Sequence, residues 1–197
     1  MADINKALQA LEIGTYQPGS GQIVWWEYYD RFAIDGTTPV VNYSFFAIPL
    51  GQGGKNLADT NFPLAALMPN SEKMAVMYLS LSYWPHALLA QATYQLALDM
   101  MAETTLEFNI RGIKDVFQAN LISVFGNPFP ALVSGAAAGD QVVARSKFQA
   151  IYELEIEIVL AANTNFTVDL THHVAPNAAL DDDLLQLSLI GPKVYTS

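Results

Sequence analysis

Cysteine is absent from the 197 residues, which removes disulfide frameworks and thiolate metal sites while leaving the compartment open. Charge is scarce as well. Asp, Glu, Lys and Arg together make 14% of the chain, against roughly 25% in an ordinary soluble domain. Basic residues are the scarcer sign, 9 against 19 acidic ones, for a net charge of −10. Neutralising phosphates takes a basic stripe, so direct capture of nucleic acid is not expected. No apolar run long enough to span a bilayer is free of breakers. The nearest, Trp84 to Leu98, holds Pro85, His86 and several Gln and Thr, with Asp99 just beyond. The opening MADINKALQALEIG has neither the basic start nor the apolar stretch of a signal peptide.

What is present is apolar surface. Hydrophobic residues, tyrosine included, reach 52%. Too few charges remain to coat a normal monomer, so part of the outside must be neutral or buried against another molecule. The length predicts one domain over 1–197.

Residues 3–12 place Ile4, Ala7, Leu8 and Leu11 at helical spacing behind a capping Asp3, a short helix or arm within 1–20. Two aromatic runs, Gln22–Ile34 and Val40–Leu50, flank Asp35-Gly36 and predict a hairpin. A long loop over 51–72 precedes a strand, Met74–Tyr83, with Met77, Leu79, Leu81 and Tyr83 on one face. HALLAQATYQLALDMMA lacks interior Gly and Pro and predicts an inserted helix over 86–102. Period two returns at Leu106, Phe108 and Ile110, followed by short strands at 113–118 and 121–125 and a glycine-rich tip at 134–141. Tyr152, Leu154, Ile156 and Ile158 alternate with Glu153, Glu155 and Glu157; Phe166, Val168 and Leu170 follow, then Leu185, Leu187 and Leu189. Half-buried antiparallel sheets produce such alternation, whereas parallel sheets give unbroken apolar runs. The fold class read from this pattern is all-β: an antiparallel β-sandwich with one inserted helix.

Little in the chain points to catalysis. His172 and His173 are neighbours in a strand and face opposite ways, which disfavours a shared metal; an edge or interface pair is the plainer reading, and His86 reads as a helix start. Gly51-Gln52-Gly53-Gly54-Lys55-Asn56 lacks the spacer, hydroxyl and following helix of a phosphate loop and reads as a mobile loop. Asp181-Asp182-Asp183 lacks the alternation and glycine of a calcium loop and reads as a solvated tip. The Glu153/155/157 stripe reads as a wet outer face that discourages edge pairing. No catalytic residue, cofactor or metal ligand is assigned, and an enzyme is not expected.

The aromatics carry more weight. In a strand, either Trp25 with Tyr29 or Trp26 with Tyr28 must face away from the core. Trp25, Trp26, Tyr28, Tyr29, Phe45 and Phe46 are the interface candidates, and exposed Trp and Tyr also suit stacking on sugars.

The passages LADTNFP (57–63), Leu67-Met68-Pro69 and Met74–Tyr83 open a longer pattern. A helix follows, then TLEFNI (105–110), Leu121–Phe125, Tyr152–Ile158, NTNFTVDL (163–170) and LSLIG (187–191). In this order the segments, spanning about 57–191, resemble the small single jelly-roll capsid proteins of tailless icosahedral bacteriophages. The resemblance implies an eight-stranded single jelly roll that assembles into capsomers of a shell, often over an internal membrane. It implies partners that are copies of itself and other capsid proteins, and a place in the virion after synthesis in the host cytoplasm. It brings no catalytic residues, and under it the N-terminal helix becomes an arm that swaps onto a neighbour. The competing reading is a lectin-like or receptor-binding sandwich working through Trp25, Trp26, Tyr28 or Tyr29. Under the assembly reading, charge-poor faces mark subunit contacts while the Glu153–Glu157 and Asp181–Asp183 patches stay wet.

Overall fold

Alternating apolar residues shape eight strands: β1 (Ile23–Ala33), β2 (Asn42–Phe45), β3 (Glu72–Trp84), β4 (Thr104–Ile110), β5 (Ile113–Asn120), β6 (Phe148–Leu160), β7 (Phe166–His172) and β8 (Leu184–Tyr195). Helix α1 (Gln91–Ala102) lies between β3 and β4, and a short α2 (Leu121–Phe125) follows β5. The computed structural model describes residues 9, 11, 23–37, 41–86, 91–111, 113–126 and 148–195. The expected arm at 1–20, apart from Gln9 and Leu11, and the expected tip at 134–141 lie outside the described residues.

The strands form two four-stranded sheets, sheet A in the order β1-β8-β3-β6 and sheet B in the order β2-β7-β4-β5. Every pairing is antiparallel. First pairs with last, second with seventh, third with sixth and fourth with fifth. One long hairpin, rolled so that successive legs alternate between sheets, gives this order, and it is that of the jelly roll. Between the sheets lie Leu79, Leu81, Leu187 and Leu189 from sheet A and Leu106, Phe108, Val168 and Leu170 from sheet B, all buried. Phe46, Phe62, Phe108 and Phe166 join them in an aromatic cluster with centroids 5.3–5.9 Å apart. Each such side chain contributes roughly 1.5–3 kcal/mol when fully buried.

Four local expectations are corrected. The aromatic runs do not form a hairpin: β1 pairs with β8, and β2 with β7 in the other sheet. Asp35-Gly36 packs instead on the loop before β8, where a Cβ on Gly36 would stand 2.5 Å from the Asn177 carbonyl oxygen. Residues 121–125 are helical, because the Asn120 side chain accepts the Ile122 N–H at 3.0 Å and caps the turn that buries Leu121 and Phe125.

In β3, three residues, Ala75–Met77, face two of β8, Gly191 and Pro192. This bulge reverses the alternation, so Met74 and Val76 enter the core while Met77 turns to the outer face. There Met77 and Ala75 bury Leu11. Gly191 makes the bulge possible, since a Cβ at that position would lie 1.9 Å from the Ala75 oxygen. In β6 a larger bulge sets Leu154–Glu157 opposite the single residue Met77. Ile156, expected inside, is consequently 77% exposed.

Candidate assembly surface

Register assigns each aromatic of β1 to a face. Tyr28 opposes Leu189, a core residue, so Trp26, Tyr28 and Asp30 point inward and Trp25, Glu27, Tyr29 and Arg31 outward. Tyr28 is buried edge-on against Phe62 at 4.9 Å. Its hydroxyl donates to Glu72, and Lys193 Nζ lies 3.2 Å from it. Burial, reinforced by the Glu72 carboxylate, pushes the Tyr28 phenol far above its usual range. The Lys193 ammonium lies over the rings of Trp26, Tyr195 and Tyr28 at 4.0, 4.6 and 5.0 Å, and Glu72 neutralises it at 3.3 Å. Phe45 and Phe46 are also fully buried. Of the interface candidates, Tyr28, Phe45 and Phe46 therefore belong to the core, where the inward face of each sheet takes its largest side chains.

Of the remaining candidates, Trp26 points inward yet stays 37% exposed, and Trp25 and Tyr29 lie on the outside of sheet A. Trp25 is 52% exposed and tilts against Tyr78 with centroids 6.1 Å apart. Tyr29 is half-buried, its hydroxyl donating to the Leu57 carbonyl at 2.5 Å. Across the outer face, one row runs Glu27, Ile190, Tyr78, Glu153 and the next Tyr29, Ser188, Ser80, Ile151. Ile151 is 61% exposed. Trp25, Tyr78, Ile190 and Ile151 thus form an apolar strip with glutamates beside it, and Ile156 stands out from the β6 bulge.

The outer face of sheet B has another character. Thr171 donates to Asn42 at 3.1 Å, Ser44 to Asp169 at 2.5 Å, and Gln118 to Glu107 at 2.7 Å. Glu107 and Asp169 stand directly opposite each other across β4 and β7. This face is a hydrogen-bonded polar sheet.

Three buried polar clusters fasten the frame. Asp183, expected in a solvated tip, is buried. Its carboxylate accepts the Tyr83 hydroxyl, the His86 backbone N–H at 2.8 Å, and lies 2.9 Å from His86 Nδ1. Burial first and the Asp183 carboxylate second push the Tyr83 phenol far up. Asp181 accepts the Gly36 N–H at 2.9 Å, so Asp182 alone of the triplet is exposed. His86, expected at the helix start, belongs to this cluster. No local sequence signal marks it, since Asp183 lies 100 residues from Tyr83 and 97 from His86 and only the fold brings them together.

His172 and His173 face opposite ways as expected, His172 buried and His173 exposed. The Thr104 hydroxyl donates to the Met100 carbonyl at 2.5 Å, leaving its oxygen to accept from His172 Nδ1 at 2.6 Å. Nε2 of His172 is buried without a hydrogen-bond partner. Burial, then the neighbouring His173, lowers the His172 pKa to about 4. Lys55, in the loop expected to be mobile, pairs with buried Asp30 at 2.5 Å, and burial raises the Asp30 carboxyl against that pairing. Among the described residues no group of three or more His, Asp or Glu is placed to hold a metal ion. Compared with known proteins, the chain matches no family model and no curated protein sequence.

Proposed function

We propose that the chain is a structural subunit, a jelly-roll capsid protein whose copies assemble into capsomers of an icosahedral shell. The carrying observation is the contrast between the two outer faces of the sandwich: sheet B polar and hydrogen-bonded, sheet A bearing the exposed Trp25 and Ile151 with the partly buried Tyr78 between them. Exposed apolar strips of this kind mark surfaces that bury against protein. The chain's shortage of charge supports the same reading, and its net −10 favours protein partners over a genome. In this reading the partners are copies of itself and other capsid proteins. The protein is made in the host cytoplasm, resides in the virion, needs no cofactor and catalyses nothing, and the shell can enclose a membrane.

Light scattering after size exclusion, with electron microscopy, tests this. Discrete capsomers or shells are expected, and Trp25→Ala or Ile151→Glu should weaken assembly at least tenfold without lowering the unfolding midpoint. A dilute monomer unaffected by either change would overturn it. The half-exposed Trp25, tilted against Tyr78, also suits a sugar-binding sandwich. Retention on immobilised glycans, lost with Trp25→Ala, would favour that second reading.

A further inference from the structure

Sheet A has two flanks, and different devices close them. On β6 the flank is distorted by the Leu154–Glu157 bulge and carries the exposed Glu153 and Glu155. Bulges and charges are standard protections of a sheet edge. On β1 the protection is a separate piece of chain. Residues 46–71 connect β2 to β3, far longer than the ~15 residues beyond which loops are usually functional or disordered. Part of this connection runs along β1.

The contacts there match those a strand would make. The Arg31 N–H donates to the Asp59 carbonyl at 2.9 Å, and the Asn61 N–H to the Tyr29 carbonyl at 3.3 Å. The Asn61 side chain completes the ladder: Oδ1 accepts the Tyr29 N–H at 2.9 Å, and Nδ2 donates to the Glu27 carbonyl at 2.7 Å. One side-chain amide thereby does the work of a peptide group. Thr60 Oγ1 adds a second donor to the Tyr29 carbonyl at 3.0 Å, and Lys55 Nζ caps the Arg31 carbonyl at 3.0 Å.

Two ion pairs hold the strap in place. Asp59 takes both Nε and a terminal nitrogen of Arg31, at 3.0 and 2.9 Å. Lys55 reaches the buried Asp30, whose other oxygen accepts the Phe46 N–H at 2.6 Å. Strap, β1 and the end of β2 are thus tied to one carboxylate.

We infer that residues 55–61 are an edge guard, occupying the place that strand β1 of a second copy would otherwise take. An uncovered Glu27–Arg31 edge is self-complementary. Two copies related by a two-fold axis would pair antiparallel about Tyr29, with Glu27 of one opposite Arg31 of the other, joining opposite charges. The guard prevents sheets from fusing edge to edge and leaves faces and loop tips as the routes of association. It is required of this sandwich whether or not the subunit builds a shell.

Absence of cysteine makes the test direct. In a two-fold β1–β1 pair, residue 29 faces its own copy as a hydrogen-bonded pair with Cα atoms about 5.5 Å apart, within disulfide range. Tyr29→Cys is made alone and together with Asp59→Ala and Asn61→Ala, and with Asn61→Ala only, which leaves no charge stranded. Hydrogen exchange at the residue 29 and Arg31 amides is followed alongside non-reducing electrophoresis. The expected result is exchange at least tenfold faster in the loosened proteins and disulfide-linked dimers in them alone. Linked dimers in Tyr29→Cys alone, which loses the hydroxyl bond to Leu57 but keeps the Asp59 and Asn61 contacts, opened amides without dimers, or amides that stay protected would each overturn the inference. Because the readout is the position of a disulfide, shell formation through other surfaces neither mimics nor masks it.

Discussion

The Asp183 carboxylate lies 2.8 Å from the backbone nitrogen of His86, across 97 residues of sequence. It also accepts the buried Tyr83 hydroxyl, so one side chain joins the end of β3, the approach to α1 and the start of β8. Asp183→Ala removes the carboxylate that accepts both the Tyr83 hydroxyl and the His86 N–H, at a cost of about 3 kcal/mol, whereas Asp183→Asn keeps one acceptor and costs about half as much. Urea unfolding gives both values. Equal stability of the alanine variant and the parent would refute the role assigned to this carboxylate.

Gly191 should tolerate no side chain. A Cβ there would stand 1.9 Å from the Ala75 oxygen and 3.2 Å from the Met77 nitrogen, and backbone cannot move aside as a flexible side chain can. Gly191→Ala is expected to cost about 3 kcal/mol, a fall of roughly 6–12 °C in Tm for a chain of this size. A melt unchanged within 2 °C or so would mean that the β3 bulge shifts freely.

His172 makes stability depend on pH. Its folded pKa of about 4 lies below the usual imidazole value of 6.5. Between those values the unfolded chain binds the proton and the folded protein does not, so acidification favours unfolding. Stability contributed by neutral His172 is full above pH ~6.5, is lost progressively toward pH ~4, and changes no further below, about 3 kcal/mol in all. Carboxylates titrate in part of the same range, so the informative quantity is the difference between parent and His172→Asn. That difference should slope between pH 6.5 and 4, and a flat one would contradict neutral burial.

Glu107 and Asp169 face each other across β4 and β7. Like charges directly opposite destabilise a pair of strands. Glu107→Gln should therefore raise stability by about 0.5 kcal/mol at low ionic strength, and less in 1 M salt, where screening shortens to about 3 Å. Thermal melts at the two salt concentrations give the comparison; a loss of stability at low salt would mean that the Gln118 bond to Glu107 outweighs the repulsion.

Legibility in the sequence followed the range of the physics. Leu106 and Phe108, or Leu185, Leu187 and Leu189, declare an inward face by themselves, and the antiparallel sandwich follows from such strands. Bulges escaped because an extra residue changes nothing in composition: Met77 and Ile156 look as apolar as the core residues beside them. Leu121–Phe125 is as apolar and β-branched as a strand, and only the Asn120 cap marks it as a turn of helix. Strand partners were hidden for another reason, since Tyr28 meets Leu189 through closure of the whole chain. At the surface strip, Trp25 was readable as an outward aromatic, but whether it or Trp26 faced out depended on the partner strand. The Asp183 cluster was misread because a run of three acids looks wet until its hydrogen-bond donors arrive from β3.

The nesting of strands, first with last, also sets a timetable for the growing chain. β8 stands between β1 and β3 in sheet A, yet it is the last of the eight strands to be synthesised. While the ribosome is still making the preceding residues, β1 has no strand neighbour and one side of β3 is open. The local pair β4–β5 can form early, but sheet A waits for its central strand. A nascent chain stalled before Leu184 would hold Leu79, Leu81 and Tyr28 out to water at once, an aggregation hazard that lasts until β8 is made.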